Sequence, residues 1–198
     1  MAPIHAAVYA GDVEAVRREL AAGVSPNLVE GIYSPLGAAT DFQRVEIMSL
    51  LIEAGADVDL QVGTYTPLHI ASIHGSKALV AALLAAGAST SLLRETPGMK
   101  QRPIESVGAN DRHILWQLLR AGSPLPRLDK ASWMNPERSV FDADATDYVN
   151  AVAAAGGYVP YERAHRQRLV VMFVPKFTWL PAEIIPTIVE FWAHFGHP

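Results

Sequence analysis

The sequence predicts an all-α fold: a solenoid of stacked helix pairs over residues 1–125, followed by a C-terminal helical extension or cap. Three observations carry this reading. Pro3, Pro35 and Pro67 stand 32 residues apart, and Gly23, Gly55 and Gly87 keep the same step. Apolar residues between these marks recur at three- and four-residue spacing, with Ile47, Met48, Leu51 and Ile52 in one copy and Leu79, Val80, Leu83 and Leu84 in the next. That is the stripe of a helix with one buried face. The composition permits such a core, because 50% of the 198 residues are hydrophobic and only 18% charged, unlike a disordered chain.

The elements of each copy follow in order. Proline at the first helical position sacrifices no hydrogen bond and presets the backbone dihedral. Ser34 and Thr66 precede it as caps. Ala7, Ala39 and Ala71 keep the first helices slim enough to approach their neighbours. Gly11 and Gly75 lie between the two helices of their copies, where the second copy has Gln43. The second helix carries the apolar stripe and stops at Gly23, Gly55, Gly87 or Gly122, using the left-handed conformation that glycine tolerates. A fourth, degenerate copy reads Arg102-Pro103-Ile104-Glu105, then Ile114, Leu115, Leu118 and Leu119. Pro103 lies 36 residues after Pro67, so about four residues are inserted in the loop from Arg94 to Arg102. The same copy loses one residue between Pro103 and Gly122. One copy alone cannot bury its stripe, and stacking joins the stripes into a continuous core.

Thr66-Pro67-Leu68-His69-Ile70-Ala71, with the tail Gly55-Ala56-Asp57, resembles the ankyrin repeat. The resemblance covers about four repeats over residues 1–125 and implies an ankyrin-repeat solenoid. It implies that His69, and His5 in the same place, bond internally and tie one repeat to the next. Gly37 and Glu105 depart from that histidine, and Gln43 from the inter-helix glycine.

Residues 126–141 read as an irregular connector, with Pro126 and Pro136 and few periodic apolar positions. Residues 142–198 form the C-terminal helical region. A helix is expected from Asp142 to Ala155, ended by Gly156-Gly157, and another from about Tyr161 to Val174. Farther on, Leu180-Pro181-Ala182-Glu183 followed by Ile184, Ile188 and Phe191 resembles the start of an F-box, a helical module that recruits ubiquitin-ligase components. Ile184, Ile188, Phe191 and Trp192 are therefore a candidate second partner surface. The alternative is a cap over the last apolar face of the stack, as terminal units require.

The ankyrin resemblance implies binding through a concave face of loop tips and first helices. Residues 32 apart then form ladders: Tyr33 and Tyr65 at the loop tips, Tyr9, Asp41 and Ile73 at the first-helix ends, and Ala10, Phe42 and His74 beside them. Tyr33, Phe42, Gln43, Arg44, Tyr65, Ile73 and His74 are the candidate partner-binding residues, with the two tyrosines expected exposed. Phe42 either joins that patch or turns inward to fill space left by small neighbours. The inserted loop from Arg94 to Arg102 is either a basic binding loop or a solvated insert.

Other chemistry finds little support. Cysteine is absent, which removes disulfides, thiolate metal sites and a cysteine nucleophile. No glycine-rich phosphate loop or nucleophile elbow is present, and His194 and His197 lie where Gly196 and Pro198 break a helix. Arg163, His165, Arg166 and Arg168 read as a solvated helix face. A formal net charge of −4 does not suit a nucleic-acid binder, and no apolar run approaches a bilayer span. The expectation is a non-enzymatic module or scaffold for protein partners, cytoplasmic or nuclear, with no cofactor, metal or small-molecule substrate. Two alternatives stay open: a ubiquitin-ligase substrate adaptor, and a structural subunit of a large assembly.

Overall fold

The structure, a computed structural model, describes residues 2–96, 99–108, 111–126 and 143–173. The chain divides into two compact units, residues 1–146 and 147–198. The first begins with three helix pairs, α1 (Pro3–Ala10) with α2 (Val13–Ala21), α3 (Pro35–Asp41) with α4 (Val45–Glu53), and α5 (Pro67–Ile73) with α6 (Lys77–Ala85). A two-stranded antiparallel hairpin follows, β1 (Arg94–Thr96) and β2 (Met99–Gln101), pairing Arg94 with Gln101. A 3₁₀ turn over Pro103–Ser106 and helix α7 (Arg112–Arg120) come next.

First helices stack on first helices, α1 on α3 on α5 on the 3₁₀ turn, and second helices on second helices from α2 through α4 and α6 to α7. This is the translational stacking that the 32-residue step requires. The buried stripe is Ile47, Met48 and Leu51 in α4, Leu79, Val80 and Leu83 in α6, and Ile114, Leu115, Leu118 and Leu119 in α7. Ile52 and Leu84 lie at its edge and are half-buried. Leu36 and Leu68 fill the space between first and second helices, at 1% and 0% exposed. Each such side chain stabilises the fold by about 1.5–3 kcal/mol relative to exposure.

The helix ends obey the sequence. Ser34 Oγ accepts from Gly37 N–H at 3.1 Å and Thr66 Oγ1 from His69 N–H at 3.4 Å, so both caps form. At the other end Ala56 N–H reaches Leu51 C=O at 2.9 Å, closing α4 through Gly55 at φ 86°. The inter-helix turn of the second repeat repeats the left-handed geometry without glycine: Gln43 sits at φ 55°. A non-glycine residue there is strained, which marks that turn as less favourable than its neighbours.

Two regions differ from the sequence expectation. The inserted loop, expected as a basic binding loop or a solvated insert, is a hairpin whose Arg94, Glu95 and Lys100 are engaged. Arg94 is 7% exposed with its guanidinium 4.5 Å from the Tyr65 ring centroid, and Lys100 pairs with Glu95 at 2.7 Å. The first helix of the fourth repeat shrinks to the 3₁₀ turn. That repeat is one residue short, and a 3₁₀ turn rises faster per residue than an α-helix.

Beyond the first repeats, α8 (Ala143–Ala154) and α9 (Tyr158–Phe173) form. Val149 and Val152 are buried, as their spacing predicts. Helix α9 begins three residues before the predicted Tyr161, because Pro160 falls in its first turn, where its missing N–H breaks no helical bond. Of the predicted basic run, Arg166 pairs with Glu162 at 2.7 Å and His165 stacks on Tyr161 with ring centroids 5.9 Å apart. Among the described residues no helix is long and apolar enough to cross a membrane. The predicted connector, apart from Pro126, and the F-box-like segment lie outside the described residues. So do Ile184, Ile188, Phe191 and Trp192, the candidate second surface, with His194 and His197.

Candidate functional site

The motif histidines are structural. His69 Nδ1 lies 2.8 Å from Thr66 Oγ1, and its Nε2 lies 3.1 Å from Gln101 C=O, across to the next repeat. Burial holds its pKa down at about 4, against the pull of the Gln101 carbonyl. The ring is therefore neutral near pH 7, with one nitrogen donating and the other accepting. His5 Nε2 reaches Tyr33 C=O at 3.3 Å in the same way, and its Nδ1 lies 3.4 Å from Glu30 Oε2. Glu105, in the histidine's place in the fourth repeat, substitutes a carboxylate. It accepts from Arg102 N–H at 2.8 Å and pairs with the Arg102 guanidinium at 2.6 Å.

The second repeat has no such tie, because Gly37 has no side chain. There a groove of about 460 Å³ opens between the second and third repeats. Loop-tip residues Ile32, Tyr33, Leu60, Val62 and Tyr65 form one side, and Gly37, Asp41, Ile70, Ile73 and His74 of α3 and α5 the other. The neighbouring carbonyls show the difference. Tyr33 C=O accepts from Glu30 N–H at 3.0 Å and faces His5, whereas Tyr65 C=O accepts from Val62 N–H at 3.4 Å.

Asp41 is the polar hub of this groove. Its Oδ2 accepts the Tyr33 hydroxyl at 2.7 Å, and its Oδ1 lies 2.7 Å from His74 Nε2. The bond to Asp41, aided by burial, pushes the Tyr33 phenol up to about 12, since ionising it would set two anions side by side. Asp41 thus links a loop tip to its own first helix and to the first helix of the following repeat.

The seven predicted residues divide into two groups. Tyr33, Tyr65, Ile73 and His74 line the groove together. Both tyrosines are half-buried rather than exposed, Tyr33 drawn down to Asp41 and Tyr65 covered on one face by Arg94. Phe42, Gln43 and Arg44 lie outside the groove lining. Phe42 does not turn inward: it is 46% exposed and packs edge-on against Tyr9, with ring centroids 5.1 Å apart. Arg44 donates to Tyr9 C=O at 3.4 Å and its guanidinium lies against Gly11. Gln43 is an exposed turn residue. Sequence reasoning placed Asp41 in a ladder but not in the site. The ladder step of 32 hid it, because Asp41–His74 and Tyr9–Phe42 both meet at a separation of 33.

Comparison with known proteins agrees with this architecture. The family model for ankyrin repeats, in three copies, matches residues 4–93. The crystal structure of the human ASB11 ankyrin repeat domain is similar at 30% sequence identity and a TM-score of 0.55. That match covers 64% of this chain and 57% of the ASB11 chain, so this chain spans less than two thirds of its relative. No curated protein matches the sequence. Residues 4–93 thus have both the sequence and the stacking of ankyrin repeats.

Proposed function

We propose that the repeat unit is a non-enzymatic interaction module that holds a segment of a partner protein in the groove between the second and third repeats. The observation that carries this is the groove itself, about 460 Å³ and walled by side chains of two adjacent repeats. That volume lies within the size range of binding pockets. Its walls are positioned before binding. Tyr33 is fixed by Asp41, Asp41 by His74, and Tyr65 by Arg94. A pre-ordered surface loses little entropy on association. Outside the groove lining, the exposed Phe42 beside Tyr9 offers a further apolar contact.

The test is affinity capture from the native cell with the full chain and with a Tyr33→Ala, Tyr65→Ala, Ile73→Ala triple variant. The expected result is loss of one or more partners from the variant's captured set. An identical set from a folded variant refutes the placement.

A further inference from the structure

We propose that Gly37 sets the specificity of this groove, and that the side chain it admits is long, aliphatic and cationic at its tip, a lysine or arginine of an extended partner segment. The proposal rests on the interaction-module reading above and specifies the chemistry of its ligand.

The first argument is volume. Where His5 and His69 stand, an imidazole spans the gap between repeats and contacts a carbonyl of the next one, at 3.3 Å and 3.1 Å. Gly37 leaves that space to the groove. Gly37 lies within a regular helix with φ outside the left-handed region, so its backbone does not demand glycine. A Cβ built there meets Ser34 Oγ at 3.3 Å and Tyr33 Cδ1 at 3.6 Å. What a side chain at 37 would crowd is therefore the cap and the groove wall.

The second argument is charge. Among the described residues the groove lining contains one carboxylate, Asp41, and neither lysine nor arginine. The Asp41 side chain is 30% exposed, and each of its oxygens has a single contact among the described bonds. A carboxylate has about four acceptor positions, so capacity for a further donor remains. The Tyr33 phenol and His74 are the titratable groups beside it. The Arg94 guanidinium takes one face of Tyr65 and is not part of the lining, which leaves Asp41 and the Tyr33 ring as the place for an incoming cation.

The third argument is the remaining wall. Leu60, Val62, Ile70 and Ile73 are apolar and suit a methylene stem, which lysine and arginine bury while their heads stay at a polar edge. An anionic tip meets Asp41 with like charge. A wholly apolar tip desolvates Asp41 without returning a partner.

The experiment titrates the full chain, labelled at isoleucine methyl groups, with acetylated and amidated Gly-Ser-X-Ser-Gly peptides. X is arginine, lysine, norleucine or glutamate, and Ile70 and Ile73 are followed by NMR. The arginine and lysine peptides are expected to bind at least about tenfold more tightly than the glutamate peptide, about 1.4 kcal/mol. They are also expected to bind more tightly than the norleucine peptide. Asp41→Asn should abolish the difference between arginine and norleucine. Gly37→His should weaken arginine binding at least tenfold while raising the unfolding temperature, by supplying the missing tie to Tyr65 C=O. Should that variant fail to fold, Gly37→Ala replaces it, with weaker binding expected. Equal binding of all four peptides, no response at Ile70 and Ile73, or unchanged arginine binding in the Gly37 variant overturns the proposal. The cell-capture result stands apart from these outcomes: a triple variant that loses partners preserves the module even if the cationic peptide is wrong.

Discussion

The first and second repeats meet differently from the second and third. At the first junction His5 contacts Tyr33 C=O, Asn27 bridges to Gly55 C=O and Asp57 N–H, and Arg44 reaches back to Tyr9. At the second junction, among the described residues, the side-chain links include the Asp41–His74 pair, about a third exposed, the bond from Ser89 N–H to Asp59 at 2.8 Å and that from the Gln61 amide to Leu93 C=O at 3.5 Å. The third junction is tied again, by His69 to Gln101 C=O and by Arg94 over Tyr65. The junction without the imidazole is the one that holds the groove, while the apolar stripe beneath continues without interruption. Core and groove thus rest on different residues: leucines and alanines build the stack, and Gly37 lies in the lining of the hollow.

The largest test of that separation is Leu68→Ala. Leu68 is fully buried in α5, which serves the open junction on one side and the tied junction on the other. The variant should lose about 2–5 kcal/mol in urea unfolding. A loss below about 1 kcal/mol would mean that the core is not shared across both junctions.

His69 gives the next effect. Its folded pKa of about 4 lies below the unfolded value of 6.5, so the unfolded chain takes up the proton first. The stabilisation is therefore complete above pH 6.5 and is lost as pH falls towards 4, by at most about 1.4 kcal/mol per pH unit. Glutamine keeps a donor for Gln101 C=O but does not titrate. The stability of His69→Gln should accordingly show a flatter slope across that window, read as the difference between the two proteins. Parallel curves would mean that the tied junction does not keep the ring dry.

Asp41→Asn probes the open junction by a smaller signal. With the neighbouring anion gone, the Tyr33 phenol should titrate well below 12, towards the ordinary tyrosine value of 10, in an ultraviolet titration at alkaline pH. An unaltered titration would separate Asp41 from the Tyr33 hydroxyl in solution. Gln43→Gly is expected to be the mildest change, a gain of roughly 0.5–1 kcal/mol in thermal unfolding, from relief of the left-handed backbone. No gain would place the strain elsewhere.

The repeated elements were readable because their causes are local and recur. Proline at the start of each repeat's first helix, the hydroxyl before it at Ser34 and Thr66, and glycine after the second helix act within a few residues, and Thr66 to Ala71 spell the motif outright. The groove was legible in part. Tyr33, Tyr65, Ile73 and His74 line it together, whereas Phe42, Gln43 and Arg44 do not. Asp41 was missed because contacts between repeats are diagonal, a geometry that spacing along the chain does not encode. The hairpin escaped for another reason: its Arg94 lies over Tyr65, a contact between residues 29 positions apart. The loss of Gly37's hallmark histidine was visible as a departure, and only the three-dimensional neighbours reveal that it leaves a hollow.

The open junction also has a mechanical consequence. If the ends of the stack are pulled apart in an optical trap, the load passes through every seam in series. The seam between the second and third repeats lacks a histidine tie like those on either side, and its Asp41–His74 link is about a third exposed, where water competes for the hydrogen bond. The first rupture is expected there, releasing the first two repeats as one block before either block unravels. A first extension matching a single repeat would show that the tear begins elsewhere.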